Sequence, residues 1–231
     1  MGNAGLTNMC LCSFQPAMDF DTDGCYNVPA IDAEGNTSEG LDPGSGDSDG
    51  CRDPSDLANN NVYSRQRCNN GWCAYIYDYY FEKDTAFFGL GGHRHDWEHI
   101  AVWVRDGAAQ FVSASQHGDY EIKQAADVRW DGPTHPKMVY HKDGINTHNF
   151  RFANADDDNI ENATGAWFYG ALVSWNGFPS AELRDKLMAT DFGSASIAIK
   201  DASYQSHLDE SRGDNAPEFD SSLDDGSPGT P

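Results

Sequence analysis

From Cys73 onward the chain is a succession of short runs in which apolar and aromatic residues alternate with polar ones. CAYIYDYYF, WEHIAVWV, QFVSAS, YEIKQA, KMVYH, THNFRFA and AWFYGALVSW follow one another, with Gly, Asp, Asn or Pro between most of them. A period of two marks a half-buried strand, and several such strands at close spacing suggest a sandwich or a barrel. Helix-period runs are scarce. One is clear, PSAELRDKLMAT, with Pro179 or Ser180 near its start and Leu183 and Leu187 one turn apart, placed to pack on a sheet. The expected fold is mostly β: a single-domain β-sandwich with a few flanking helices, its 39% hydrophobic residues enough for a core in 231 residues. Residues 1–60 differ, with eleven acidic side chains against one basic, Arg52, in Gly-, Ser- and Asn-rich sequence that reads as loop held by disulfides. From Asp209 the chain is acidic, rich in Ser, Gly and Pro and nearly free of apolar residues, which is the composition of a disordered tail. The expected division is a domain over residues 1–208 and a tail over 209–231.

A formal net charge of −22 argues against a nucleic-acid partner, because no basic stripe offsets the phosphates. It also argues against simple electrostatic docking on an anionic membrane. An acidic chain that meets a membrane needs a specific headgroup pocket or a bridging cation. The six cysteines, Cys10, Cys12, Cys25, Cys51, Cys68 and Cys73, all fall in the first third. An even count in one region suits an oxidising compartment, and the paired CxxC knuckles of a zinc ribbon are missing. Asn36-Thr37-Ser38 and Asn162-Ala163-Thr164 are glycosylation sequons, in keeping with secretion. The start, MGNAGLTNMCLCSF, lacks the basic and apolar regions of a signal peptide, so the expected form is a mature extracellular chain. No stretch approaches the ~20 apolar residues of a membrane span, and the expected state is a soluble monomer.

The densest cluster of metal-capable side chains is GGHRHDWEH, which holds His93, His95, Asp96, Glu98 and His99 after two glycines. If WEHIAVWV is a strand, Glu98 shares a face with Ile100, Val102 and Val104, and Asp96 has the same parity. Carboxylates at the mouth of an apolar face are costly unless paired or metal-bound. Mixed oxygen and nitrogen donors would accept Mg²⁺, Ca²⁺ or Mn²⁺ and could also hold Zn²⁺. The alternative is a solvated turn with ordinary ion pairs. A metal-dependent hydrolase ranks last: HExxH is missing, and HxHxDH fails because Trp97 stands where its Asp should be.

GHRHDWE, residues 92–98, is the heptapeptide that marks the NLP family (necrosis- and ethylene-inducing-peptide-like proteins, the NPP1-type necrosis-inducing proteins). NGWCAYIYDYYFEKD, SASQHGDY, THPKMVYHKDG, THNFRFA and LVSWNGFPSAELRDKLMATDFGSA also match in order, so the chain resembles the family from about Asp23 to Ala195. The resemblance implies a non-enzymatic β-sandwich similar to actinoporins and fungal lectins, with a divalent cation, Mg²⁺ or Ca²⁺, in an acidic cavity. In that family the cation helps bind the sugar headgroups of plant sphingolipids, the glycosylinositol phosphorylceramides. Cytolytic members then damage the plasma membrane, with necrosis and plant immune responses. The cation ligands carried over are Asp84 from FEKD, His93, Asp96 and Glu98. His117 in SQHGDY matches a further functional histidine, and His95 and Trp97 stand beside the headgroup or the ligands. Plant pattern receptors recognise the segment before the heptapeptide in some members. Here AYIYDYY, residues 74–80, replaces AIMYSWY of the simplest members, and one extra residue lies between Asp84 and His93, near Phe87 and Phe88. These departures favour an alternative, an NLP that binds a glycan or acts as a recognised pattern without lysing cells.

The resemblance also pairs Cys25 with Cys51 and points to one of the multi-cysteine NLP classes. That long loop would make the bridge worth roughly 3–4 kcal/mol. Cys68 and Cys73 flank NNGW and could close a short hairpin, which leaves Cys10 and Cys12. Asp19-Phe20-Asp21-Thr22-Asp23-Gly24 reads as the first half of a calcium loop, but Ala30 stands where an EF-hand needs Glu. A second calcium site on Asp19, Asp21 and Asp23, completed by a residue such as Asp32, is weighed against a solvated acidic turn. Asp156 to Asp158 read as a solvated loop, and Trp167, Phe168 and Tyr169 as part of a strand.

Overall fold

The computed structural model describes residues 11–86 and 91–224. Six strands form a twisted sheet in the order β10-β2-β3-β4-β5-β6: β2 Asn61–Asn69, β3 Trp72–Thr85, β4 Gly92–Arg105, β5 Ala108–Gln116, β6 Asp119–Gln124 and β10 Ala171–Ser174. A second, four-stranded sheet holds β1 Ala17–Phe20, β7 Trp130–Asp131, β8 His135–Lys142 and β9 His148–Phe152, with β8 pairing parallel to β1 and antiparallel to β7 and β9. Three hairpins of the larger sheet, β2–β3, β4–β5 and β5–β6, close with two-residue turns. Asn70-Gly71, Asp106-Gly107 and His117-Gly118 all have positive φ at both positions, the primed-turn geometry whose twist matches that of the flanking strands.

Alternation along β3 and β4 builds two cores. Tyr75, Tyr77, Tyr79, Phe81, Ile100, Val102 and Val104 face the smaller sheet and pack on Met18, Phe20, Met138, Tyr140 and Phe150. Ile76, Tyr80, Trp97, Ala101 and Trp103 face the other way, onto a helical layer. That layer contains α2 Ala181–Ala189 and α3 Asp201–Arg212; a short α1 spans Pro54–Ala58. Ser180 caps α2 by accepting the Leu183 amide at 3.2 Å, and Leu187 is fully buried. Among the described residues, no helix is long and apolar enough to cross a membrane.

Cys25–Cys51 and Cys68–Cys73 are disulfides, the latter between residues directly opposite each other across the β2–β3 hairpin. Cys12 is also disulfide-bonded; Cys10, Phe87 and Phe88 lie outside the described residues.

Four expectations are corrected. The tail does not begin at Asp209: α3 continues to Arg212, and Ala216 and Phe219 are buried in the helical-side core, so two apolar residues in a polar stretch suffice to dock it. AWFYG is not strand; Phe168 makes a single bridge to Met18, and β10 starts at Ala171. Asp157 is buried rather than solvated, gripped by both terminal nitrogens of Arg151 at 2.7 Å. Asn162, the acceptor position of the second sequon, is buried rather than displayed on the surface, its amide donating to Asp19 and to the Ala166 carbonyl at 2.9 Å each.

Candidate metal centre

The site forms at the end of the long β3–β4 pair that β5 leaves uncovered. β3 and β4 pair from Trp72↔Arg105 to Thr85↔Gly92, whereas β5 reaches only Ile100↔Ala114. Asp84 lies opposite His93, and Phe81 opposite Asp96. Unbroken alternation would put His93 and Asp96 on opposite faces of the sheet. His95 breaks it, with φ of +65°. Its carbonyl accepts a hydrogen bond from His93 Nδ1 at 2.6 Å, which leaves Nε2 of that ring to face the cluster. Its own ring is held by the Tyr80 hydroxyl at 2.7 Å and against Phe192. Donor atoms of Asp84, His93 and Asp96 consequently lie within 4.8 Å of one another. Gly92 is obligatory at this bend, since a Cβ there would sit 2.4 Å from the Asp84 carbonyl oxygen.

Asp84 and Asp96 are only 2% and 4% exposed. Their neighbours are imidazoles and hydroxyls. Asp84 Oδ2 lies 3.8 Å from His93 Nε2, and its Oδ1 accepts from the His148 amide and ring at 2.9 and 2.7 Å. Tyr140 donates its hydroxyl to Asp96 at 2.9 Å, and Ser115 donates to Glu98. Burial, and then the Asp84 carboxylate, push the Asp96 carboxyl up to about 7; burial, and then Asp96, push Glu98 well above the usual carboxylate range. Crowded buried carboxyls with an imidazole are the donor set of a divalent cation, which supplies the positive charge they lack. Asp84, His93 and Asp96 would hold it. Glu98 lines the same pocket but is engaged by Ser115 and stands outside the three-residue cluster.

This cluster lines one part of a cavity of about 280 Å³. His117 and Thr147 also line it; His117 sits at φ +49° in the β5–β6 turn and contacts Asp143, Asn149 and Thr147 at 3.2, 3.0 and 3.3 Å. Trp97 contributes to the wall but packs mainly among Tyr63, Tyr80 and Phe192. His99, Tyr120, His207 and Glu210 line the cavity as well.

Among the described residues, Asp19, Asp21 and Asp23 do not bring their carboxylates together into a three-residue cluster like that of Asp84, His93 and Asp96. Asp19 accepts four donors, from Phe20, Glu161 and Asn162, and Asp21 pairs with Arg151 at 3.1 Å. Asp32 is turned to Asn36. The Asp19 carboxylate thus holds the 161–162 backbone, and the Asp21 carboxylate ties the loop to β9. Asp23 lies beside the main site: its carbonyl oxygen is 3.2 Å from His148 Nε2, on the far side of the ring from Asp84. The sequence reading missed His148, Tyr140 and Ser115. His148 and Tyr140 lie on strands of the opposite sheet, and only strand parity in THNFRFA and KMVYH could have hinted at them.

The model of the necrosis inducing protein (NPP1) family matches residues 10–211. The chain belongs to this family. NLP effector protein 10 of Phytophthora capsici is 34% identical over 201 residues, 85% of this chain and 80% of that one; necrosis-inducing protein NPP1 of Phytophthora nicotianae is 33% identical, covering 83% and 77%. Among solved NPP1-type structures, NLPPya in complex with mannosamine is 35% identical with a TM-score of 0.71, covering 86% of both chains. The non-toxic HaNLP3 protein is 25% identical with a TM-score of 0.71, covering 87% and 88%. The mostly β, two-sheet architecture of this NPP1-family chain matches theirs.

Proposed function

We propose that this protein is a secreted, cation-dependent binder of plant sphingolipid glycans, the glycosylinositol phosphorylceramide headgroups, that damages the plasma membrane and provokes necrosis and immune responses. The observation that carries the reading is the buried Asp84–His93–Asp96 cluster in the wall of a cavity of about 280 Å³. Relatives solved with mannosamine and with glucosamine support a sugar as the ligand. Mg²⁺ or Ca²⁺ bound there would offer open coordination positions to sugar hydroxyls. The residues do the rest: His148 and Tyr140 orient the two carboxylates, the His95 carbonyl orients His93, and His117 stands at the rim. Glu98 acts beside the ligand set. No bond-breaking group is required.

Leakage from vesicles made with and without the plant sphingolipid tests this reading, using wild type, Asp96→Ala and a chelator. Leakage confined to sphingolipid vesicles and lost in both controls supports it. A folded protein that binds the sugar and cation yet releases nothing leaves the second reading, a non-lytic glycan binder or recognised pattern. That reading is favoured by one observation: the non-toxic relative shares the fold over 87% of this chain, so the fold alone does not confer lysis.

A further inference from the structure

The cavity joins two chemically different groups of side chains, and only the carboxylate cluster is explained by a hard cation. The other group is rich in nitrogen. His99 on β4 and His207 on α3 meet edge to face with ring centroids 4.6 Å apart, and both line the cavity. Two imidazoles on one tetrahedral ion place their centroids about 5 Å apart, given a metal–nitrogen bond of roughly 2.0 Å. Each ring is backed by oxygen at Nδ1. His99 Nδ1 faces Asp78 Oδ1 at 3.7 Å; His207 Nδ1 lies 3.0 Å from the Tyr120 hydroxyl and 3.9 Å from Glu210. An imidazole whose second nitrogen points at a carboxylate or hydroxyl is the arrangement that orients metal-binding histidines.

The buried polar inventory gives an independent sign. Asp78 is fully buried and His99 is 7% exposed, yet Asp78 Oδ1 and His99 Nδ1 face each other without a hydrogen-bond partner. Leaving such groups unsatisfied is costly, and a positive charge on the far nitrogen of His99 would turn the Nδ1 hydrogen into a strong donor to Asp78. Burial also holds the His207 imidazole down to about 4, so it stands neutral and able to ligate at physiological pH.

We propose that His99 and His207 form a second metal site in this cavity, selective for a borderline transition ion such as Zn²⁺ or Cu²⁺, with Asp78, Tyr120 and Glu210 behind the ligands and open positions toward the cavity. Imidazole donors prefer such ions, whereas the oxygen-rich cluster prefers Mg²⁺ or Ca²⁺. The two sites would be loaded by different ions.

The test is calorimetric titration of the untagged full chain with Zn²⁺, in a His93→Ala/Asp96→Asn background that removes the nitrogen donor and a carboxylate of the first cluster. One equivalent of Zn²⁺ is expected to bind. Adding His207→Gln, a change at the partly exposed surface of α3, should weaken it at least about 10-fold. Thermal melting verifies that the variant is folded. In parallel, the Cu²⁺ electron paramagnetic resonance spectrum of the background protein should show two nitrogen donors, falling to one with His207→Gln. No Zn²⁺ binding in the background, binding indifferent to His207→Gln in a folded protein, or a copper spectrum without histidine nitrogens would overturn the proposal and make the pair a structural contact between β4 and α3.

Discussion

His95 has one conformation on which the site depends. Its positive φ turns the strand so that His93 joins Asp96. Asp96→Ala should lower Mg²⁺ or Ca²⁺ affinity by more than about 100-fold, beyond the 10–100-fold typical of an outer partner, whereas Glu98→Gln should cost about 10-fold. Calorimetric titration separates the two, and equal losses would put Glu98 inside the coordination sphere. His117 offers a different contrast. It occupies a turn position where Asn is at home, so His117→Asn should leave the melting temperature nearly unchanged, within about 0.5 kcal/mol, while reducing sphingolipid-dependent leakage. Asp96 and Glu98 were legible in the sequence because their face runs on into Ile100, Val102 and Val104. Strand alternation could not reveal Asp84, whose parity on β3 is opposite to that of the core-facing Tyr79 and Phe81; only the family motif reached it.

At the scale of elements, the Cys25–Cys51 loop is stitched to the strand end that carries Asp84. Asp47 accepts from Thr85 at 2.8 Å and from Lys142 at 2.7 Å, and the buried Lys83 donates to the carbonyls of Gly46 and Asp49. Replacing both cysteines by serine should cost about 3 kcal/mol in denaturant unfolding and also weaken cation binding. An unchanged cation affinity would show that the clamp acts on stability alone. A second stitch is sensitive to acid. Burial alone would raise the Asp157 carboxyl, but its hydrogen bonds to Arg151 outweigh this and hold it below the usual range. The unfolded chain therefore takes up the proton first as pH falls. The stabilisation is complete above the unfolded value near 4 and is lost as pH drops through the lower folded value. Melting temperatures of wild type and Arg151→Gln should differ at neutral pH and converge in acid, once the pH falls through the lowered folded value of Asp157.

The whole molecule is three layers deep, and its last described segment closes the outer one. Phe219, 3% exposed, stands edge-on to Trp103, while Arg67 and Asn69 hold the backbone of residues 220–223. Phe219→Ala should cost about 3–5 kcal/mol, measured by thermal or urea unfolding. A change below 1 kcal/mol would mean that the segment only rests on the core. Strands β3 to β6 and β8 to β10, helix α2 and the hairpin at Cys68–Cys73 could be read from period and turn chemistry, whereas β1, β2, β7 and α3 were not. The docking of residues 209–224 could not, because a lone Ala and a lone Phe leave no periodic trace in an acidic sequence. The closure also has a consequence in time. β1 pairs with β8, far along the chain, and Trp103 packs on Phe219, similarly distant in sequence. Such long-range pairings come late and slowly. A chain of this topology closes neither pairing until the later partner of each has been synthesised, so its outer layer is the last to form.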